Sequence, residues 1–166
     1  MLFRPTVVVG FLLIECMAFA QQTKEHQWNV ISGFEVNYTG NNTFLRIQHI
    51  GKKNHLLEAG VSYNVSDGFA DRTVLGIDLG YGYRLLTKEK WSLFTGVDYR
   101  LQRPIKILNI QTLTYTNTLN YFLLPQVMAS VRLGYGVATA RARSAGVFTQ
   151  TNSPTGSLML SCGYLF

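Results

Sequence analysis

The charged residues of this 166-residue chain recur at alternate positions of otherwise apolar stretches. Glu35 lies between Phe34 and Val36, Arg46 between Leu45 and Ile47, and Glu58 between Leu57 and Ala59. Asp78 lies between Ile77 and Leu79, Arg84 between Tyr83 and Leu85, and Asp98 and Arg100 flank Tyr99. Arg141 and Arg143 alternate with Ala140 and Ala142. Residues two apart share one face of a β-strand, so this spacing gathers acids and bases on one side and grease on the other. If the greasy side faces lipid, all nine charges face the inside of a barrel. There they would form a neutralising network, because a buried unpaired charge is costly. A proton or ion path through such a network is the functional alternative, and no pattern in the sequence favours it. No grouping of His, Cys or carboxylates has metal-ligand spacing, and no glycine-rich phosphate loop precedes a helix, so no cofactor is expected. His55 and Glu58 come near the start of one strand and read as a solvated rim histidine beside an interior acid.

The elements that must carry these residues have period two. From Thr73 to Leu85 the odd positions are Thr, Leu, Ile, Leu, Tyr, Tyr and Leu, while the even ones are Val, Gly, Asp, Gly, Gly and Arg. A helix would scatter them around its axis; a strand sorts them. The alternation recurs within Gly33–Tyr38, Phe44–Gln48, Leu57–Ser66, Trp91–Gln102, Thr112–Leu123 and Ser157–Phe166, and more weakly at about Tyr135 to Gly146. Eight strands are predicted. Gly51–Asn54 and Thr87–Lys90 read as short polar turns, whereas Ser66–Arg72, Pro104–Gln111 and Phe148–Thr155 read as longer loops on the opposite rim, with Thr39–Asn42 a short exception. Short turns on one side and longer loops on the other are expected of a bacterial outer-membrane barrel. An even strand number puts both ends of the barrel at the short-turn rim. Each membrane strand needs about 9–11 residues, so eight fit and sixteen do not. An eight-stranded barrel is about filled by its own side chains, which excludes a wide porin channel.

Residues 1–20 read as a leader, leaving 21–166 as one barrel domain. Arg4 supplies the positive start, Val7–Ile14 is almost continuously apolar, and Ala18-Phe19-Ala20 provides a signal-peptidase pattern. Cys16 follows an apolar run, as in a lipoprotein signal, but Glu15 before it is neither small nor neutral. Cleavage after Ala20 leaves Cys162 as the sole cysteine, so no internal disulfide can form. Charge is low at 14%, nine tyrosines and ten phenylalanines are present, and no later apolar run is long enough for a membrane helix. The net charge of +6 survives cleavage, since Arg4 and Glu15 leave together. It suits anionic lipid headgroups and is too diffuse to imply nucleic acid.

The last nine residues, Leu158-Met159-Leu160-Ser161-Cys162-Gly163-Tyr164-Leu165-Phe166, resemble the closing strand of the small outer-membrane β-barrel superfamily, which includes the outer-membrane protein A-like barrels. The resemblance implies an all-β, eight-stranded antiparallel up-and-down transmembrane barrel in the outer membrane. It also implies that Leu158, Leu160, Tyr164 and terminal Phe166 form the signal read by the barrel assembly machinery. Barrel enzymes that cut lipid acyl chains resemble one another in a histidine two residues before a nucleophilic serine. Here His26, His49 and His55 are followed at that distance by Trp28, Gly51 and Leu57, so no catalytic residue is assigned. The superfamily shares no single activity. The reading is a non-enzymatic barrel, structural or surface-interacting, its interior plugged by charge. Its partners would be outer-membrane lipid and lipopolysaccharide and, in one version, another envelope protein. Arg103 and Lys106 mark the candidate interaction loop. A lipid-modifying enzyme and a soluble lipocalin-like ligand-binding barrel are the alternatives; interior charge argues against the latter, whose pocket should be mostly apolar.

Overall fold

The computed structural model describes residues 27–66, 74–144 and 147–166. The proposed leader and most of the 66–72 connection lie outside them. Eight antiparallel strands follow in chain order: β1 (Gln27–Asn37), β2 (Gly40–Ile50), β3 (His55–Asn64), β4 (Val74–Lys88), β5 (Trp91–Ile105), β6 (Leu108–Leu124), β7 (Val127–Ser144) and β8 (Val147–Leu165). Each pairs with its neighbours, and β1 pairs with β8 from Asn29↔Leu165 to Asn37↔Ser157, so the sheet closes into an eight-stranded barrel. Closure leaves the sheet no free edge along the paired length.

The alternation sorts residues as the sequence demands. Leu75, Ile77, Leu79, Tyr81 and Tyr83 of β4 point outward and are exposed, while Val74, Asp78 and Gly82 point into the lumen and are buried. This outward apolar stretch runs about 26 Å along the strand at roughly 3.3 Å per residue. Tilted as barrel strands are, it covers most of a lipid-facing band about 25 Å tall. Trp28, Tyr83, Trp91, Tyr121, Tyr164 and Phe166 gather at the rim carrying the chain end. Trp91 packs on Tyr121 at 4.5 Å between ring centroids, and Phe166 sits edge-on to Tyr164 at 5.3 Å. Amphipathic rings at that level suit a membrane–water interface.

The turns at this rim are tight. Asn54, in the left-handed region at φ 64°, donates its backbone N–H to Gly51 O at 3.1 Å, and Glu89 at φ 40° turns β4 into β5. At the opposite rim, Asn37 Oδ1 accepts hydrogen bonds from the Thr39 backbone N–H (2.9 Å) and hydroxyl (2.7 Å), and Gly40 follows at φ 106°. Asparagine and glycine fit such turns because one bonds its own backbone and the other tolerates positive φ.

Three connections differ from expectation. Pro104–Gln111 is a hairpin with a two-residue turn at Lys106-Ile107, not a long loop. Pro104 falls where the register shifts between Gln102 and Ile105, a bulge that tolerates a residue without an N–H. Phe148–Thr155 is likewise strand, the first half of β8 paired to β7. Above a membrane both faces of a strand meet polar surroundings, so the apolar alternation fades although pairing continues. The seventh strand begins at Val127, well before the expected Tyr135, because Pro125-Gln126 is itself the turn after β6. Together these make the outer rim uneven. β8 residues 147–156 rise past the end of β1, about 30 Å of additional strand, so β5–β8 form a tall wall beside the low β1–β2 hairpin.

Candidate functional site

The lumen holds the chemistry. Seven charged side chains from six strands meet midway along it: Glu35, Arg46, Glu58, Asp78, Asp98, Arg100 and Arg132. Two struts cross the barrel. Arg132 on β7 forks onto Glu58 on β3, with Nη2 to Oε1 at 2.5 Å and Nη1 to Oε2 at 2.7 Å. Arg100 on β5 donates through Nη2 to Glu35 on β1 and through Nε to Asp78 Oδ1 at 2.5 Å. In a ring of eight, β7 and β3 are four strands apart, as are β5 and β1, so each strut joins opposite walls. Arg46 on β2 ties the two together. Its Nη1 reaches Glu58 Oε2 at 3.2 Å and Asp98 Oδ2 at 3.0 Å, and its Nε lies 3.7 Å from Asp78 Oδ2. Arg132 Nη1 also reaches Asp98 Oδ2 at 2.8 Å. Planar, multi-donor guanidinium suits this bridging in a way a lysine ammonium would not.

Neutral partners add hydrogen bonds to the cluster. Gln48 Nε2 donates to Glu58 Oε1 at 2.5 Å, Thr118 Oγ1 accepts from Arg132 Nε at 2.7 Å, and Asn37 Nδ2 donates to Glu35 Oε1 at 3.0 Å. Two glycines make room. A Cβ on Gly80 would stand 2.8 Å from Asp98 Oδ1 and 3.0 Å from Glu58 Oε2, and one on Gly60 would stand 2.5 Å from Arg46 Cγ. Small cavities flank the network. One of about 20 Å³ is lined in part by Glu35, Asp78 and Arg100, and one of about 10 Å³ by Glu58, Phe94 and Arg132. Each has room for little more than a water. Asp98 is the least enclosed of the four acids, at 14% side-chain exposure. Towards the chain-end rim, Ile50, Leu56 and Phe94 form an apolar layer.

Six of the nine expected interior charges therefore come together. Arg84 does face inward, but its guanidinium carbon lies 5.6 Å from the Phe94 ring centroid, and it takes no part in the ion pairs of the cluster. Arg141 and Arg143 do not join the network: both are exposed on the outer part of β7, where Arg141 Nε donates to Gln150 Oε1 at 3.2 Å. Their alanine neighbours follow the inward phase of Ala138, so the arginines take the outward one. Arg132, outside the strand expected at about Tyr135 to Gly146, joins the network because β7 begins at Val127. Its signal is the same as the others', an arginine between outward Val131 and Leu133.

The remaining candidates lie away from the lumen. Leu158 and Leu160 are exposed on the outer face of β8, and Tyr164 donates its hydroxyl to Gln126 Oε1 at 3.0 Å. The Phe166 N–H donates to Trp28 O at 2.8 Å, joining the chain end to β1 at the seam. Arg103 and Lys106 are exposed at the β5–β6 hairpin tip. Among the described residues, no group of three or more His, Cys, Asp or Glu side chains is arranged to hold a metal.

No family model matches the sequence, and no curated protein matches it. Solved structures do match. The chain is similar to a de novo designed transmembrane β-barrel, at TM-score 0.62 and 11% identity over 88% of this chain and all of that one. It is similar to the N-terminal β-barrel domain of OprF from Pseudomonas aeruginosa, at 0.58 and 8% identity over 84% and 97%. It is also similar to the outer membrane protein AlkL in lipid bilayers, at 0.54 and 15% identity over 90% and 94%. The fold is that of the small eight-stranded outer-membrane barrels.

Proposed function

We propose that this protein is a non-enzymatic outer-membrane barrel, exported by its leader and seated by its terminal strand, that acts as a rigid scaffold presenting its tall outer wall. The observation that carries this reading is the crossed pair of guanidinium–carboxylate struts. They fill the lumen at mid-height and leave cavities of water size on either side. A lumen so occupied leaves room for little more than water, and seven of its charged groups are paired with one another across the barrel. Function then falls to the surfaces, above all the β5–β6 hairpin with Arg103 and Lys106 and the β7–β8 hairpin beside it. Another envelope protein is the partner such a scaffold would serve, alongside the lipid around it.

The test has two arms. In carbonate-washed outer membranes the protein should remain, and should change gel mobility on boiling as folded membrane barrels do. Deleting the gene should leave the lipid A mass spectrum unchanged. Recovery in the soluble fraction would overturn the membrane scaffold, and a changed acylation pattern would overturn the non-enzymatic reading.

A further inference from the structure

Two features of the tall wall converge on one ligand chemistry. The first is charge. From Tyr99 to the chain end there is no aspartate or glutamate, and of the six cations in that stretch Arg100 and Arg132 are consumed in the lumen. Arg103, Lys106, Arg141 and Arg143 are left, all exposed and all near the two hairpin tips. The Arg143 N–H donates to Ile107 O at 2.9 Å, which ties the end of β7 to the β5–β6 turn that carries Lys106. The second is position. On the outer face of β7 the apolar run Val131, Leu133, Tyr135, Val137 gives way to Thr139, Arg141 and Arg143. Arg141 thus stands about 13 Å of strand above the last lipid-facing valine, and Arg143 about 7 Å beyond that.

Arg141 is also held. Thr139 Oγ1 donates to Asn152 Oδ1 at 2.9 Å, Gln150 Nε2 donates to the same oxygen at 3.5 Å, and Gln150 Oε1 accepts from Arg141 Nε at 3.2 Å. That ladder uses Nε of an exposed side chain, and neither terminal amino group of the guanidinium takes part in it. Below it lie hydroxyl and amide groups; above it lies a second arginine. A ligand that fits needs anionic groups at more than one depth and hydroxyls between them, anchored by acyl chains on the apolar face beneath.

We infer that this outer β5–β8 face binds the phosphorylated headgroup of an outer-leaflet glycolipid, with Arg141 and Arg143 on its phosphates and Arg103 and Lys106 beside them. The inference rests on the outer-membrane reading above. Guanidinium binds phosphate as a fork, and each basic group near an anionic surface strengthens attachment. With no carboxylate on this face, contact is direct and needs no bridging divalent cation.

The experiment uses the full mature barrel purified in a mild detergent and incubated with bisphosphorylated lipid A. Retained lipid is counted by native mass spectrometry. Wild type should retain lipid A in the presence of EDTA and should retain fully dephosphorylated lipid A on the order of tenfold less. The variant R103Q/K106Q/R141Q/R143Q should lose a similar factor, while K88Q/K90Q at the opposite rim should match wild type. Phosphatidylglycerol, with one phosphate at one depth, should be retained less than lipid A. Equal retention of the dephosphorylated form, no loss in the quadruple variant, or loss on adding EDTA would each overturn the inference. A boiling-dependent gel shift run on every variant separates these outcomes from failure to fold. Absence of that shift in wild type would instead count against the membrane barrel itself.

Discussion

Replacing Arg132 with methionine probes the centre of the fold. Methionine keeps much of the length and removes the charge. Glu58 would retain Gln48 at 2.5 Å and Arg46 at 3.2 Å, and Asp98 would retain Arg46 at 3.0 Å. The seven-member cluster has four carboxylates and three guanidiniums, so its formal charge would go from −1 to −2. Removing one partner of a buried ion pair typically costs about 3–5 kcal/mol, because the other charge is stranded. At a urea slope of about 2 kcal/mol per molar, the unfolding midpoint should fall by about 1.5–2.5 M. The assay is urea unfolding in lipid vesicles, followed by tryptophan fluorescence and by the boiling-sensitive gel band. The double variant E58M/R132M restores the formal charge to −1 and should be less damaging than the two single changes combined, by about 2 kcal/mol. A midpoint for R132M within about 0.3 M of wild type, or strict additivity in the double variant, would refute the strut.

Three further outcomes follow. G80V should destabilise by about 1–3 kcal/mol in the same unfolding assay, since its Cβ would push on Asp98 and Glu58, which their arginines hold in place; an unchanged midpoint would show that the network has slack. Deleting Phe166 should lower the assembled, boiling-sensitive fraction in cells several-fold, yet leave refolding from urea into vesicles largely intact, because the residue's backbone makes one seam hydrogen bond; equal assembly in cells would remove its role as a signal. Cys162 is exposed between outward-facing Leu160 and Tyr164. It should react with an apolar maleimide in intact vesicles and resist a charged thiol reagent, and rapid labelling by the charged reagent would contradict a lipid-facing β8.

The membrane-spanning part of the barrel was legible because a lipid on one side and a packed lumen on the other force strict alternation. Ile77-Asp78-Leu79 could be sorted into faces by inspection, and so could Leu45-Arg46-Ile47. Legibility stopped where that contrast stopped. Residues 147–156 carry Thr and Ser on one face and Gln and Asn on the other, and a rule that reads grease against polarity sees a loop where there is a strand. Arg141 and Arg143 lie at odd positions of β7 and Arg132 at an even one, so the phase that assigns Arg132 to the interior places both of them outside, and it is read only once the strand is begun at Val127. The pairing of opposite walls was not legible at all. That Arg132 meets Glu58, 74 positions away, depends on closure and stagger, which local pattern does not encode.

Single-channel recording of the refolded protein in a planar bilayer tests the sealed lumen most directly. The crossed struts predict no sustained current for wild type at about 100 mV in 1 M KCl. A stable ohmic conductance from the intact wild-type barrel would contradict them.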